Sequence, residues 1–312
     1  MENRSMHLNV KKLDLRKRMY ESRYFYLMLL PGIVYFIVFN YMPMYGIQLA
    51  FKDFSISRGI WGSPWIGLSK FEKLFRSPEF FSALKNTLII SFLKTFVSFP
   101  VPIMLAILLN ELRYSKLKRS LQTIYTFPHF LSWVIVAGIL RNLLASNGAL
   151  NNLISTLGGE RVSFLTTPGI FRPLLVISAI WKESGWDCII YLTAITAIDP
   201  TLYESADIDG ANRWHKMLHI TWPGMKHTAV ILLILAVGHA MNAGFDQIFN
   251  MYNPAVYSVA DIIDTYVYRI TFELQPDYGF STAVGLFKGV TNCVLLLSAN
   301  AVAKRMSDSA II

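Results

Sequence analysis

The sequence predicts an all-α, polytopic membrane protein with six transmembrane helices and both termini on the cytoplasmic side. Three observations predict it. Hydrophobic residues make up 54% of the 312-residue chain and charged residues only 16%, against about 25% charged in ordinary soluble domains. Six apolar segments are each long enough to cross a hydrocarbon core of about 30 Å, which takes about 20 helical residues. Lysine and arginine are shared unevenly among the segments that join them. A soluble enzyme of this length would need far more charge to cover its surface.

In chain order the spans are placed at Tyr24–Met42, Thr87–Leu109, Gln122–Ala145, Pro173–Ile195, His227–Ile248 and Phe280–Ala303. They form one membrane domain over 24–303, between a basic cytoplasmic segment at 1–23 and a cytoplasmic tail at 304–312. The third and fourth are the least apolar, because they carry Arg141, Lys182, Glu183 and Asp187. Pro31, Pro100, Pro102 and Pro128 fall in or near spans, where neighbouring groups can satisfy the carbonyls a proline frees. The basic stretch Met1–Arg23 runs into the first span with no small-residue cleavage site, so it reads as an uncleaved anchor.

Orientation follows from the basic residues. With the N-terminus inside, the inside holds seven basic residues before Tyr24, then Arg113, Lys116, Lys118, Arg119, Arg213, Lys216, Lys226, Lys304 and Arg305. That is sixteen, against nine spread over the longer outside loops. The net charge of +9 is mostly this topology signal. The scatter of basic residues over both sides argues against nucleic acid as a partner. Cys188 and Cys293 both fall in spans and suggest neither a disulfide framework nor a metal site.

Two outside loops exceed a simple turn. In 43–86, Trp61 and Trp65 read as interfacial anchors. In 249–279, Val259, Ile262, Ile263 and Tyr266 recur at helical spacing between Asp261, Asp264 and Arg269, which predicts a short amphipathic helix lying at the outer surface. It reads either as a cap over the bundle or as a docking or gating element.

The most informative stretch is the polar insert 199–223 between the fourth and fifth spans. Asp199 is placed to cap a helix and Pro200 to occupy its first position. Gly210 is the expected stop, since glycine enters the left-handed conformation freely. A second short helix is expected over Ala211–Ile220, ended by Pro223. Leu202, Ala206, Met217 and Ile220 are expected to pack, while Glu204, Asp207 and Asp209 stay wet or meet basic residues on a partner. Such a two-helix knob can transmit motion as a rigid unit.

Glu204-Ser205-Ala206, three residues, Gly210, nine residues and Ile220-Thr221-Trp222-Pro223 resemble the cytoplasmic loop of bacterial ABC importer permeases. That loop reads Glu-Ala-Ala, three residues, Gly, nine residues, Ile-x-Leu-Pro. Ser205 and Trp222 depart from it. YFYLMLLPGIVYFIVFNYMPMYG, PHFLSWVIVAG, RPLLVISAIWKESGW and IDTYVYR extend the resemblance over nearly the whole chain from Tyr24. They are similar to the carbohydrate-uptake, maltose-type branch, above all to permeases for complex oligosaccharides such as alginate or pectin fragments. The resemblance implies the type I importer permease fold in a bacterial cytoplasmic membrane. It implies a second permease subunit, two ATPase subunits that bind ATP and Mg, an extracytoplasmic solute-binding protein and an oligosaccharide substrate. It also implies ATPase coupling through Glu204, Ala206, Asp209, Gly210, Ile220 and Pro223.

Ionisable residues inside spans are functional candidates, because each is costly in lipid. Lys182 and Glu183 sit near the middle of the fourth span, flanked by Trp181 and Trp186, with Asp187 one turn on. Adjacent helical residues point in different directions, so Lys182 and Glu183 are not expected to satisfy one another. They read either as part of a sugar path, with tryptophan faces under sugar rings, or as contacts between helices. His239 and Asn242 add polarity to the fifth span, three residues apart on one helical face. The resemblance implies that the fourth and fifth spans line the path, which is carried to Lys182, Glu183, Trp186, His239 and Asn242. Lys94 and Arg141 can instead snorkel to headgroups.

His215 and His219 have metal-ligand spacing, but no third ligand accompanies them, so no metal is expected. No G-x-x-x-x-G-K-[ST] phosphate loop occurs and no nucleophile motif frames a catalytic serine, so the chain itself is read as non-catalytic. The rival readings are an ion-coupled secondary transporter of a polar solute, working through Asp187, Asp246 or Glu183, and an integral membrane enzyme.

Overall fold

The computed structural model describes Tyr20, residues 22–273 and residues 276–306. Apart from Tyr20, Ser22 and Arg23, the predicted basic segment 1–23 lies outside the described residues, as does the tail beyond Met306. The chain divides into two units, 1–49 and 50–312.

From Arg23 onward the described part of the first unit is a single apolar helical run. It begins with α1 (Arg23–Phe36) and continues through a π turn (Ile37–Tyr41) and a 3-10 turn (Tyr45–Phe51). Asn40 and Pro43 are among its few interruptions to an otherwise apolar surface.

The second unit is a helical bundle. In order it contains α2 (Ser69–Arg76), α3 (Pro78–Ser98), α4 (Pro100–Asn110), α5 (Ser115–Thr126), α6 (Trp133–Leu144), α7 (Ala149–Thr156) and α8 (Pro168–Thr196). These are followed by α9 (Pro200–Ile208), α10 (Arg213–Lys216), α11 (Trp222–Gly238), α12 (Phe245–Met251), α13 (Ile263–Tyr268) and α14 (Tyr278–Met306). Among the described residues the only β pairing is the isolated bridge between Lys52 and Trp65. Among the described residues five helices are long and apolar enough to cross a membrane: Arg23–Phe51, Pro78–Asn110, Trp133–Thr156, Arg213–Gly238 and Tyr278–Val302.

The predicted fourth span lies within the 29-residue α8, whose Arg172, Lys182, Glu183 and Asp187 depress its apolar character. α8 is nonetheless the axis of the bundle, packing against α3, α4, α5 and α11. Its buried residues Phe171, Leu175, Ser178, Lys182, Gly185, Cys188, Leu192 and Ile195 fall three and four apart, on one face. At one end Phe171 and Leu175 join a core with Ile90, Ile248, Met251 and Ile262. At the other, Tyr191, Leu192 and Ile195 join Ile103, Leu109 and Met225. A third core holds Leu74, Phe80, Met241, Ile263, Phe280 and Val284. Lys182, Glu183 and Asp187 lie between its two cores.

Two predicted spans are interrupted. The third, Gln122–Ala145, stops at Thr126, passes through a 3-10 turn at Phe127–Phe130, becomes extended at Leu131 and restarts as α6. Pro128 removes a donor there, and the Ser132 hydroxyl caps the new helix by accepting from the Ile135 N–H at 3.3 Å. The fifth, His227–Ile248, ends at Gly238 and resumes as α12 after Gly244, whose φ of +95° favours glycine.

The 249–279 segment differs from expectation too. Ile262 and Ile263 are fully buried and contribute to two cores. Asp261 accepts from both ends of the Arg269 guanidinium at 3.1 and 2.5 Å. The one helix expected there is two, Tyr257–Ala260 and Ile263–Tyr268, whose apolar residues pack on the bundle as a cap would.

Candidate functional site

The hairpin after α8 is built by local chemistry. Asp199 Oδ1 accepts from the Thr201 N–H at 2.9 Å, capping α9. Hydrogen bonds from the Thr201 backbone and side chain hold the Asp199 carboxyl below the usual carboxylate range. Gly210 takes φ +73°. The Ala211 N–H then reaches back to the Ala206 carbonyl (2.8 Å) and the Gly210 N–H to Asp207 (3.1 Å), closing a Schellman motif. Asn212 Oδ1 caps α10 by accepting from the His215 N–H at 2.9 Å.

The second arm does not end at Pro223. α10 passes through a π turn at Met217–Thr221 directly into α11. The Trp222 N–H donates to the Met217 carbonyl, five residues back, so the donor Pro223 lacks falls where the hydrogen-bond register is already changing. The knob's second arm and the following membrane helix are thus one continuous rod of 26 residues.

Two contacts lock the arms together. Lys216 Nζ lies 2.7 Å from Asp207 Oδ1, and the Tyr203 and Thr221 hydroxyls are 3.0 Å apart. Asp207 therefore finds its cation within the hairpin. Ala206, Asp209, Gly210 and Ile220 line one groove of about 540 Å³, with Ala211, His215, Lys216 and His219. Glu204 and Pro223 are exposed outside it. Leu202 is exposed rather than packed, as are Ile208 (88%) and Trp214 (63%). The rings of His215 and His219 stack with centroids 6.0 Å apart. Among the described residues no three His, Cys, Asp or Glu side chains converge as a metal site would require.

The polar belt of α8 closes on the interrupted third span. Lys182 is buried, 5% exposed. Its ammonium donates to the His129 carbonyl at 2.9 Å and to Glu183 Oε1 at 3.0 Å. The adjacent pair thus does satisfy itself, because the long lysine stem folds back toward its neighbour's carboxylate. The other carboxylate oxygen accepts from His129 Nδ1 at 2.6 Å. The His129 ring stacks on Trp186 (4.6 Å, 5°), and Phe130 meets Trp186 edge-on at 5.8 Å. Lys182 also sits 5.4 Å from the Trp133 ring centroid. His129, Phe130 and Trp133 belong to the site but were not singled out by the sequence. Their signals were Pro128 inside a span and the segment PHFLSWVIVAG that carries part of the family resemblance. Asp187, one turn beyond Glu183, lines a cavity of about 270 Å³ with Lys94, Tyr191 and Leu232.

His239 and Asn242 are not on a helical face. They occupy the turn after α11, where the Asn242 N–H donates to the His239 carbonyl at 2.8 Å and His239 Nδ1 donates to the Leu235 carbonyl at 2.8 Å. Both side chains are exposed. Lys94 and Arg141 do not snorkel. Lys94 donates to the Ala243 carbonyl at 2.6 Å and Arg141 to the Asn250 carbonyl.

Residues 98–308 match the family described as "Binding-protein-dependent transport system inner membrane component". The chain is 46% identical over 302 residues to the polygalacturonan/rhamnogalacturonan transport system permease protein YteP of Bacillus subtilis (strain 168), covering 96% of this chain and 94% of that protein. It is 44% identical over 288 residues to protein LplB of the same organism, covering 92% and 90%. The solved structure of a bacterial ABC transporter involved in import of the acidic polysaccharide alginate matches with a TM-score of 0.86 at 43% identity, covering 94% of this chain and 99% of that one. The bacterial alginate ABC transporter solved in complex with alginate pentasaccharide-bound periplasmic protein matches equally, with a TM-score of 0.86 at 42% identity over 95% and 99% of the two chains. A hairpin locked to a membrane helix, a polar belt at the centre of the bundle and near-full-length likeness to these transporters lead to one conclusion: the chain belongs to the family of binding-protein-dependent transport system inner membrane components, the permeases of ABC importers.

Proposed function

We propose that the chain is one of two permease subunits in an ATP-driven importer of acidic oligosaccharides, derived from pectin- or alginate-like polymers. The observation that carries this reading is the hairpin: a rigid two-helix knob with Ile208 and Trp214 exposed, continuous with a 26-residue membrane helix. Exposed apolar side chains on a stiff projection suit a groove on a motor subunit. Motion there moves α11 directly, because the rod has no joint between Arg213 and Gly238. The chain sits in the bacterial cytoplasmic membrane with six spans, α8 serving as the fourth despite its charges, and with the knob and both termini cytoplasmic. Two ATPase subunits bind ATP and Mg. A solute-binding protein delivers cargo on the outer side.

The path runs along α8 and the turn 239–244. Trp186 is 41% exposed. His129 covers one ring face, which leaves the other for a sugar ring, while Glu183 and Asp187 bracket it on the same helix. Trp186→Ala should raise the half-saturating concentration for uptake about five-fold, since ring stacking contributes about 1 kcal/mol, with the complex still assembled. An unchanged saturation curve would remove Trp186 from the path.

The whole reading is tested by reconstituting the chain with its second permease, two ATPases and binding protein in vesicles. ATP hydrolysis should rise on adding binding protein loaded with oligogalacturonate or oligoalginate. Uptake that proceeds without ATP and follows an ion gradient across vesicles containing this chain alone would overturn it.

A further inference from the structure

Both interrupted spans are held in the same way. The break at Phe127–Leu131 leaves the His129 carbonyl outside the helical ladder, and Lys182 of α8 donates to it at 2.9 Å. The break at His239–Gly244 leaves the Ala243 carbonyl outside the ladder, and Lys94 of α3 donates to it at 2.6 Å. In each case the donor comes from a different, unbroken helix. Backbone groups freed at membrane depth cost several kcal/mol when unsatisfied. A lysine there is itself costly unless it is both hydrogen-bonded and neutralised.

We propose that Lys94 and Lys182 are paired positioning residues, each clamping one interruption of a neighbouring span, with Glu183 as the counter-ion of Lys182. Asp187 lines one cavity with Lys94, and Glu183 accepts from Lys182 at 3.0 Å. It further holds His129, the residue whose carbonyl Lys182 takes, at 2.6 Å. The second clamp stands against its lysine: a Cβ placed on Gly244 would lie 2.7 Å from Lys94 Nζ, so a side chain there would push the ammonium aside. The same turn is tied from α14, where Asn292 Oδ1 accepts from the Met241 N–H at 3.1 Å. The clamps fix the turns that present Phe130, His239 and Asn242. The inference rests on the transport reading for its consequence, but not for its geometry.

The geometry can be read without transport. In the assembled complex, with Cys188 and Cys293 replaced by alanine, a reporter cysteine is placed at Asn242 or at Phe130 and its maleimide labelling rate is measured. Lys94→Met should speed labelling of Asn242→Cys at least about five-fold, and Lys182→Met that of Phe130→Cys, the loss of about 1 kcal/mol of restraint. Glu183→Gln should speed labelling of Phe130→Cys alone. Lys288→Met should speed neither, since Lys288 pairs with the Asp264 carboxylate at 2.5 Å and with no interrupted backbone. Should Lys94→Met fail to assemble, Lys94→Arg and Lys94→Leu replace it: the first keeps a donor and should label at the parent rate, whereas the second removes the donor and should label faster. Parent-rate labelling in both methionine variants, or equal acceleration by Lys288→Met, overturns the proposal. Faster labelling in a complex that imports no oligosaccharide would leave the clamps standing and sink only the transport reading.

Discussion

Gly185→Ala is expected to strip the membrane of folded protein, although it adds a single methyl group. The added Cβ would lie 2.0 Å from the Tyr125 carbonyl oxygen, 2.3 Å from its carbon and 2.9 Å from the Thr126 nitrogen. All three are backbone atoms at the end of α5, so no side chain can swing aside. The contact is relieved only by moving α5 off α8. That shift stretches the Thr126 hydroxyl's bond to the Gly185 carbonyl, already 3.4 Å, and disturbs the polar belt a few residues along. Overpacking a core typically costs about 1–3 kcal/mol, and a clash with main chain falls at or beyond the upper end. Monodisperse protein extracted from membranes should fall about ten-fold or more. Gly285→Ala supplies the control: nothing lies within 4 Å of its built Cβ, and alanine is the better helix former by about 1 kcal/mol. Wild-type yield and uptake from the Gly185→Ala chain would mean that α5 and α8 are not in this close approach.

The parts of the fold legible in the sequence are those encoded locally. Asp199, Gly210 and Asn212 each act within three or four residues of themselves, so the hairpin's first helix and its turn could be read directly. The apolar runs of α1, α3 with α4, and α14 could be read for the same reason. Much of what the sequence concealed was contact between helices. The third and fifth spans look continuous because hydropathy sums side chains and ignores backbone bonding. At each interruption a lysine on another helix, Lys182 or Lys94, satisfies a freed carbonyl. Pro128 was visible, but a proline inside a span does not say whether the helix bends or stops. The pairing of Lys182 with Glu183 was hidden by a rule about ideal Cβ directions, which a four-carbon stem escapes. Asp207 and Lys216 lie on opposite sides of Gly210, and only the folded turn brings them together. Pro223 misled as a terminator because the π turn before it cannot be inferred from composition.

Gly210→Pro is expected to uncouple the complex while leaving it in the membrane. Proline fixes φ near about −65°, whereas Gly210 sits at +73°, so the turn cannot form. Proline also deletes the N–H that bonds the Asp207 carbonyl, removing half of the Schellman closure. The damage stays local, because nothing lies within 4 Å of a Cβ built on Gly210 and the membrane cores do not involve it. The lost geometry is the angle between α9 and the rod that begins at Arg213. The Asp207–Lys216 pair that spans the turn cannot restore it, since an ion pair with one partner in solvent contributes only about 0–1 kcal/mol. Binding-protein-stimulated ATP hydrolysis and uptake should therefore both fall at least about ten-fold, with the assembled complex still recovered. Gly210→Asn separates shape from mere substitution. Asparagine tolerates the left-handed region at a cost of about 1–2 kcal/mol or less and keeps the N–H, so most of the coupling should survive. If the proline variant hydrolyses ATP and imports cargo like the parent, the knob is not the lever. If the asparagine variant fails as completely as proline, the small surface of glycine rather than its backbone angle is what the motor subunit requires.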